Sequence, residues 1–168
     1  EYELWVDNES DLDGLPTSSV SMAKQEAKQK GKPEKWLFTL QYPSMGPFLS
    51  YAKNRELRKE LHLAYGSLCN NDKFCNNDVI KEIVQLKHQR ANLLGYNTFA
   101  DYVLDDRMAE KVENVYGLLD DLYDNCYEKA KIELNELKAF AKELDNIDDF
   151  KPWDQSYYFT KNQKKKFN

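Results

Sequence analysis

Residues 77–109 read NDVIKEIVQLKHQRANLLGYNTFADYVLDDRMA, and this stretch decides the fold class. Ile80, Ile83, Val84, Ala91 and Leu94 recur at near-helical spacing and make one apolar face. Gly95 ends that helix, because Gly accepts the left-handed conformation that a helix C-terminus often needs. Asn97 or Thr98 starts the next helix, with Asp101 three residues after Thr98 as a capping partner. The stretch is therefore a helix, a tight corner and a second short helix.

The longest element follows it. Val112, Val115, Leu119, Leu122 and Cys126 step by three and four, and Ala130, Leu134, Leu137, Ala141 and Leu144 continue the stripe. This predicts one amphipathic helix over about 110–145, roughly 50 Å long at 1.5 Å per residue. Leu119, Leu122 and Leu137 are the side chains it should bury. A coiled-coil dimer is the alternative, but the flanking positions lack the charge pattern that such a pair uses. An acidic loop over 145–149 ends the helix. A last helix then restarts with Asp154 as N-cap.

Upstream, residues 1–6 and 36–40 are rich in β-formers and read as short strands. Pro16 opens a helix between them, carrying Val20, Met22, Ala23 and Ala27, and Gly31 and Pro33 stop it. Strand, helix, strand allows a small β-pairing at the N-terminal edge. Pro43 and Pro47 bracket a turn. A helix then runs on to Leu68 with a break near Asn54, and residues 70–77 form an Asn- and Asp-rich loop. The fold class is mainly α: 1–44 a strand–helix–strand edge, 45–168 helical, the whole a single segment.

A chain of 168 residues can build its own core. With a net charge of −5, a nucleic-acid partner is not expected, and the short basic run Lys164–Lys165–Lys166 reads as a solvated face. No apolar run approaches the ~20 residues of a membrane-spanning helix, so no membrane partner is expected either. The chain opens on Glu1 within a predicted strand and has no initiator Met, which reads as an excised piece of a longer protein. Cys69, Cys75 and Cys126 are an odd number, which favours free thiols in a reducing compartment. A Cys69–Cys75 bridge is left open. A cytoplasmic address follows, and a periplasmic one would need a signal peptide on the parent.

Leu86, Lys87, Ala91, Leu93, Leu94, Gly95, Tyr96, Thr98, Phe99, Ala100, Met108 and Ala109 fill a pattern that resembles a segment of the zinc oligopeptidases, the group of thimet oligopeptidase and bacterial peptidyl-dipeptidase. Lys87 stands where that group usually has Arg. Gly14-Leu15-Pro16 ahead of Ala23 and Ala27 is similar too, as are Phe38-Thr39-Leu40 ahead of Pro43-Ser44 and the string YAKNRELRKELHLAY. The last resembles the peptidyl-dipeptidase branch most.

The resemblance implies a large helical enzyme whose two lobes flank a channel with zinc at its floor. This chain would belong to the non-catalytic lobe, its partners being the missing catalytic lobe and, in the parent, an oligopeptide. The parent would remove C-terminal dipeptides.

That chemistry needs H-E-x-x-H, which places two zinc-binding His on one helix face with a Glu acting on the metal-bound water. Here His62 and His88 stand in ELHLAY and LKHQRA, on different predicted helices, and neither is followed by Glu. No C-x-x-C is present either. The expectation is that this chain holds no catalytic residue and no metal ligand, that its substrate-binding residues are unknown, and that zinc belongs to the parent. Of eleven Tyr, those at 65, 96, 102, 116, 123, 157 and 158 lie beside apolar stripes and read as core-edge residues, a minority lining a peptide channel. Without the resemblance, the chain would be a non-enzymatic helical module docking a partner along its long helix.

Overall fold

A computed structural model describes residues 2–70 and 74–167. The order is β1 (Leu4–Val6), a short 3-10 helix (Glu9–Leu12), α1 (Thr17–Gln29), β2 (Trp36–Phe38), α2 (Tyr42–Tyr51), α3 (Arg55–Gly66), α4 (Asn77–Leu93), α5 (Phe99–Leu104), α6 (Val112–Asp145) and α7 (Pro152–Phe167). The chain is mainly α, with one antiparallel pair in the register Leu4↔Phe38, Trp5↔Leu37 and Val6↔Trp36. Glu1, the first residue of the predicted first strand, and residues 71–73 of the predicted loop lie outside the described residues.

The chain divides into two compact units, Glu1–Leu68 with Leu134–Asn168, and Cys69–Glu133. In the first, Leu4, Val6, Phe38, Met45, Phe48, Ala52 and Leu61 form the main core, with Phe38 and Phe48 edge to face at 4.6 Å. Alternation puts Leu4 and Val6 on the same sheet face, and α1 covers the strands with Ala23 and Ala27, small enough for close approach. A second cluster joins Leu137 and Ala141 of α6 to Tyr157 and Tyr158 of α7.

Helix ends follow their local chemistry. Gly31 has φ +80°, the Lys32 N–H donates to Ala27 O at 2.9 Å and the Gly31 N–H to Lys28 O at 3.0 Å. This is the Schellman closure. The predicted turn between Pro43 and Pro47 is instead helical, since α2 starts at Tyr42. Pro43 sits in the first turn, where no N–H is needed. Pro47 removes one interior bond, and the short helix tolerates it. The break near Asn54 is real: its side chain accepts the Leu57 N–H at 3.1 Å and caps α3.

Gly14 explains why Gly leads Leu15-Pro16. Its φ is +90°, and an added Cβ would run into the Tyr51 carbonyl oxygen. At Gly31, φ +80°, a Cβ would meet nothing within 4 Å. Gly14→Ala therefore carries backbone strain plus a steric clash, whereas Gly31→Ala carries only the strain, of order 1–3 kcal/mol. Urea unfolding should show the larger loss for Gly14→Ala. Equal losses would mean that the Tyr51 carbonyl yields freely.

The long helix spans 34 residues, close to its predicted bounds. Its burial differs from expectation. Leu137 is 6% exposed, but Leu119 is 51% and Leu122 49% exposed. The stripe exists, yet among the described residues only its C-terminal end meets a packed partner.

Candidate functional site

Two features carry the chemistry of this chain. The first is a buried ion cluster in the unit Glu1–Leu68 with Leu134–Asn168. Arg55 and Arg58 stand three apart on α3, hence on one side of it. Arg55 grips Asp154 with both branches, Nε donating to Oδ1 at 2.9 Å and Nη2 to Oδ2 at 2.7 Å. Its Nη2 also donates to the Asp149 carbonyl at 2.6 Å. Arg58 is 1% exposed and Asp154 fully buried. Arg58 Nη2 donates to Asp154 Oδ1 at 3.1 Å, Nη1 to the carbonyls of Ala52 at 2.7 Å and Lys53 at 3.1 Å, and Nε to Trp153 O at 3.3 Å. The Arg58 guanidinium stacks 4.1 Å from the Tyr157 ring centre.

Asp154 is not the N-cap predicted for α7. It lies one turn in, and its Oδ2 accepts the Lys151 N–H at 3.0 Å, the reach-back half of a capping box. Burial pushes its carboxyl up, but the hydrogen bonds and charges of Arg55, the Lys151 N–H and Arg58 together hold it below the usual carboxylate range. The cluster docks α7 onto α3. A single sequence offers one faint sign of it, two Arg at i and i+3 in YAKNRELRKELHLAY.

The second feature is exposed apolar surface in the unit Cys69–Glu133. The corner at Gly95 forms as predicted: φ is +86°, the Tyr96 N–H donates to Ala91 O at 2.9 Å, and Thr98 with Asp101 makes a full capping box. Ala91 is buried beneath it. Arg90 Nη2 donates to the Tyr102 hydroxyl at 2.9 Å, the Tyr96 hydroxyl to Asp105 at 2.7 Å, and Lys87 Nζ lies 5.1 Å over the Phe99 ring. The remainder of the predicted face is open. Ile80, Ile83, Val84 and Leu94 on or beside α4, and Leu118, Leu119, Leu122 and Tyr123 on α6, are all exposed, and Met108 is fully so. Of the core-edge tyrosines, Tyr157 and Tyr158 are buried, whereas Tyr65, Tyr116 and Tyr123 are exposed.

The described residues do not fit a zinc site. Among them no group of three or more His, Cys, Asp or Glu is placed to hold a metal. His88 Nε2 is engaged with Asn92 Nδ2 at 2.9 Å, and the His62 ring lies edge-on to Trp153. No helix is long and apolar enough to cross a membrane among the described residues.

The resemblance read from the residues extends to whole-chain comparison. The profile of peptidase family M3 matches residues 48–168. Oligopeptidase A of Escherichia coli is 37% identical over 161 residues, covering 93% of this chain and 24% of its own length. Oligopeptidase A of Haemophilus influenzae is 35% identical over 165 residues, covering 95% and 24%. Dipeptidyl carboxypeptidase of Escherichia coli is 25% identical over 166 residues, covering 98% and 24%. The chain belongs to peptidase family M3. It spans about a quarter of the length of these curated relatives.

Proposed function

We propose that this chain is one segment of the non-catalytic helical lobe of a longer zinc-dependent oligopeptidase, helping to wall its substrate channel. The observation that carries the reading is the match of nearly the whole chain to about a quarter of oligopeptidase A. The exposed apolar faces support it, since isolated soluble domains rarely leave such surface uncovered. The remaining length of the protein would cover them and supply the zinc ligands, since this sequence carries no H-E-x-x-H. A reducing, cytoplasmic setting goes with this reading. The higher identity to oligopeptidase A than to dipeptidyl carboxypeptidase favours cleavage within oligopeptides over release of C-terminal dipeptides.

The test compares the full-length protein with residues 1–168 on a quenched-fluorescence oligopeptide, with and without chelator, alongside metal analysis. The full-length protein should cleave the peptide and lose that activity to the chelator. The segment alone should show no turnover and no stoichiometric zinc. Mass spectrometry of the products separates internal cleavage from dipeptide release. Chelator-sensitive turnover by 1–168 alone would overturn the assignment of this segment. An inactive or chelator-insensitive full-length protein would overturn the enzyme reading and leave a helical interaction module.

A further inference from the structure

Three hydrogen bonds tie residues 69–70 to residues 75–77. The Asn76 N–H donates to Cys69 O at 2.8 Å, the Cys75 thiol to Asn70 O at 2.9 Å, and Asn77 Nδ2 to Asn70 Oδ1 at 3.1 Å. Cys69 has φ +57°, a left-handed conformation that Gly or Asn adopts at less cost. That reversal after α3 turns the chain so that Asn76 can reach back to it. The Cys75 sulfur thus already touches the carbonyl of the residue next to Cys69. Both thiols are free, Cys69 half-buried and Cys75 exposed.

We propose that Cys69 and Cys75 form a redox-responsive dithiol, which a low-molecular-weight disulfide converts into an intramolecular disulfide across the α3–α4 turn. The exposed Cys75 thiolate attacks one sulfur of the small disulfide. That S–S bond breaks, and the departing thiolate takes the electron pair and a proton. The Cys69 thiolate then attacks the Cys75 sulfur of the mixed disulfide and expels the second small thiol. Two protein thiols are oxidised and one small disulfide is reduced to two thiols. A disulfide needs Cα atoms within about 4.4–6.8 Å, and the Asn76 N–H on Cys69 O with the Cys75 thiol on Asn70 O favours that span. Oxidation would staple the residues just ahead of α4. Exposed bridges of this kind are reversible, as thiol sensors in reducing compartments must be.

The experiment uses the full chain with Cys126→Ser, which removes the third thiol, treated with oxidised glutathione in native buffer and in urea. Free thiols are alkylated, and the unfolded protein is digested with trypsin without reductant. Cleavage after Lys59, Lys73 and Lys81 puts the two cysteines on separate peptides, 60–73 and 74–81. The expected product is that pair joined, lighter by two hydrogens and free of glutathione, formed at least about tenfold faster in native buffer than in urea. Two alkylated cysteines, glutathione retained on either one, or equal rates in the two solvents would each overturn the proposal.

Discussion

Asp154→Asn should remove about 3–5 kcal/mol from the stability of the unit that holds α3 and α7, the loss seen when one partner of a buried ion pair is deleted. The amide keeps the shape of the side chain but not its charge. Arg58, 1% exposed, is then left as a buried cation with carbonyls for company and no anion. Arg55→Gln should cost less, because the Arg55 side chain is 29% exposed and Arg58 still neutralises Asp154. Urea unfolding followed by tryptophan fluorescence reads this directly, since Trp153 lies beside the cluster. A loss under about 1 kcal/mol for Asp154→Asn would show that water reaches Arg58 and that the cluster contributes little.

The same carboxylate sets a pH dependence. Its pKa in the folded chain lies below the 3.8 of an unperturbed Asp. The unfolded state therefore binds the proton first as pH falls. The contribution of Asp154 is fully present above the unfolded value and is lost as pH drops through the folded one. Wild-type stability should decline along that acid limb, and Asp154→Asn should lack this component. The difference between the two proteins should stay constant above about pH 5 and shrink toward acid.

Much of this fold is local, and local chemistry is legible. Gly31, Gly95 and the Thr98–Asp101 pair each act through their own neighbours, so the helix ends they mark are found where residue type alone puts them. The two prolines of α2 misled because Pro is tolerated in a first turn, and only the packing of Met45 and Phe48 into the core shows that the helix continues through Pro47. Asp154 looked like a cap because its neighbours at 151–155 give no hint of α3. Its true partners are about a hundred positions away in sequence, and a single chain carries no record of such a pairing. The proposed zinc chemistry is legible only through the family pattern, because His62 and His88 stand on different helices and neither is followed by Glu. The thiol pair was visible as a spacing, but the reversal at Cys69 that faces the two ends together is a property of the backbone.

Periodicity also has a limit, and α6 shows where it lies. A stripe at three- and four-residue steps says that a face is apolar, not what covers it. Leu122 and Leu137 both belong to the stripe, yet of the two only Leu137 is buried: it packs with Ala141, Tyr157 and Tyr158, with Phe140, Ile147 and Phe150 around them. Tyr157 and Tyr158 meet edge to face at 5.1 Å, and the Tyr158 hydroxyl donates to Asp145 at 2.9 Å. Burial and that carboxylate together push the Tyr158 hydroxyl well above the usual tyrosine range, so it remains a protonated donor at neutral pH. Leu137→Ala should thus open a cavity in a packed cluster and cost about 2–5 kcal/mol. Leu122→Ala, at a side chain 49% exposed, should cost under about 1 kcal/mol in residues 1–168. In the full-length protein the two costs should converge if the proposed oligopeptidase covers α6, since Leu122 would then be truncated in a packed interface as well. The measurement is denaturant unfolding of both variants in both lengths. A large cost for Leu122→Ala in the short chain that varies with protein concentration would mean that a second copy covers this face. A small cost in the full-length protein would mean that nothing does.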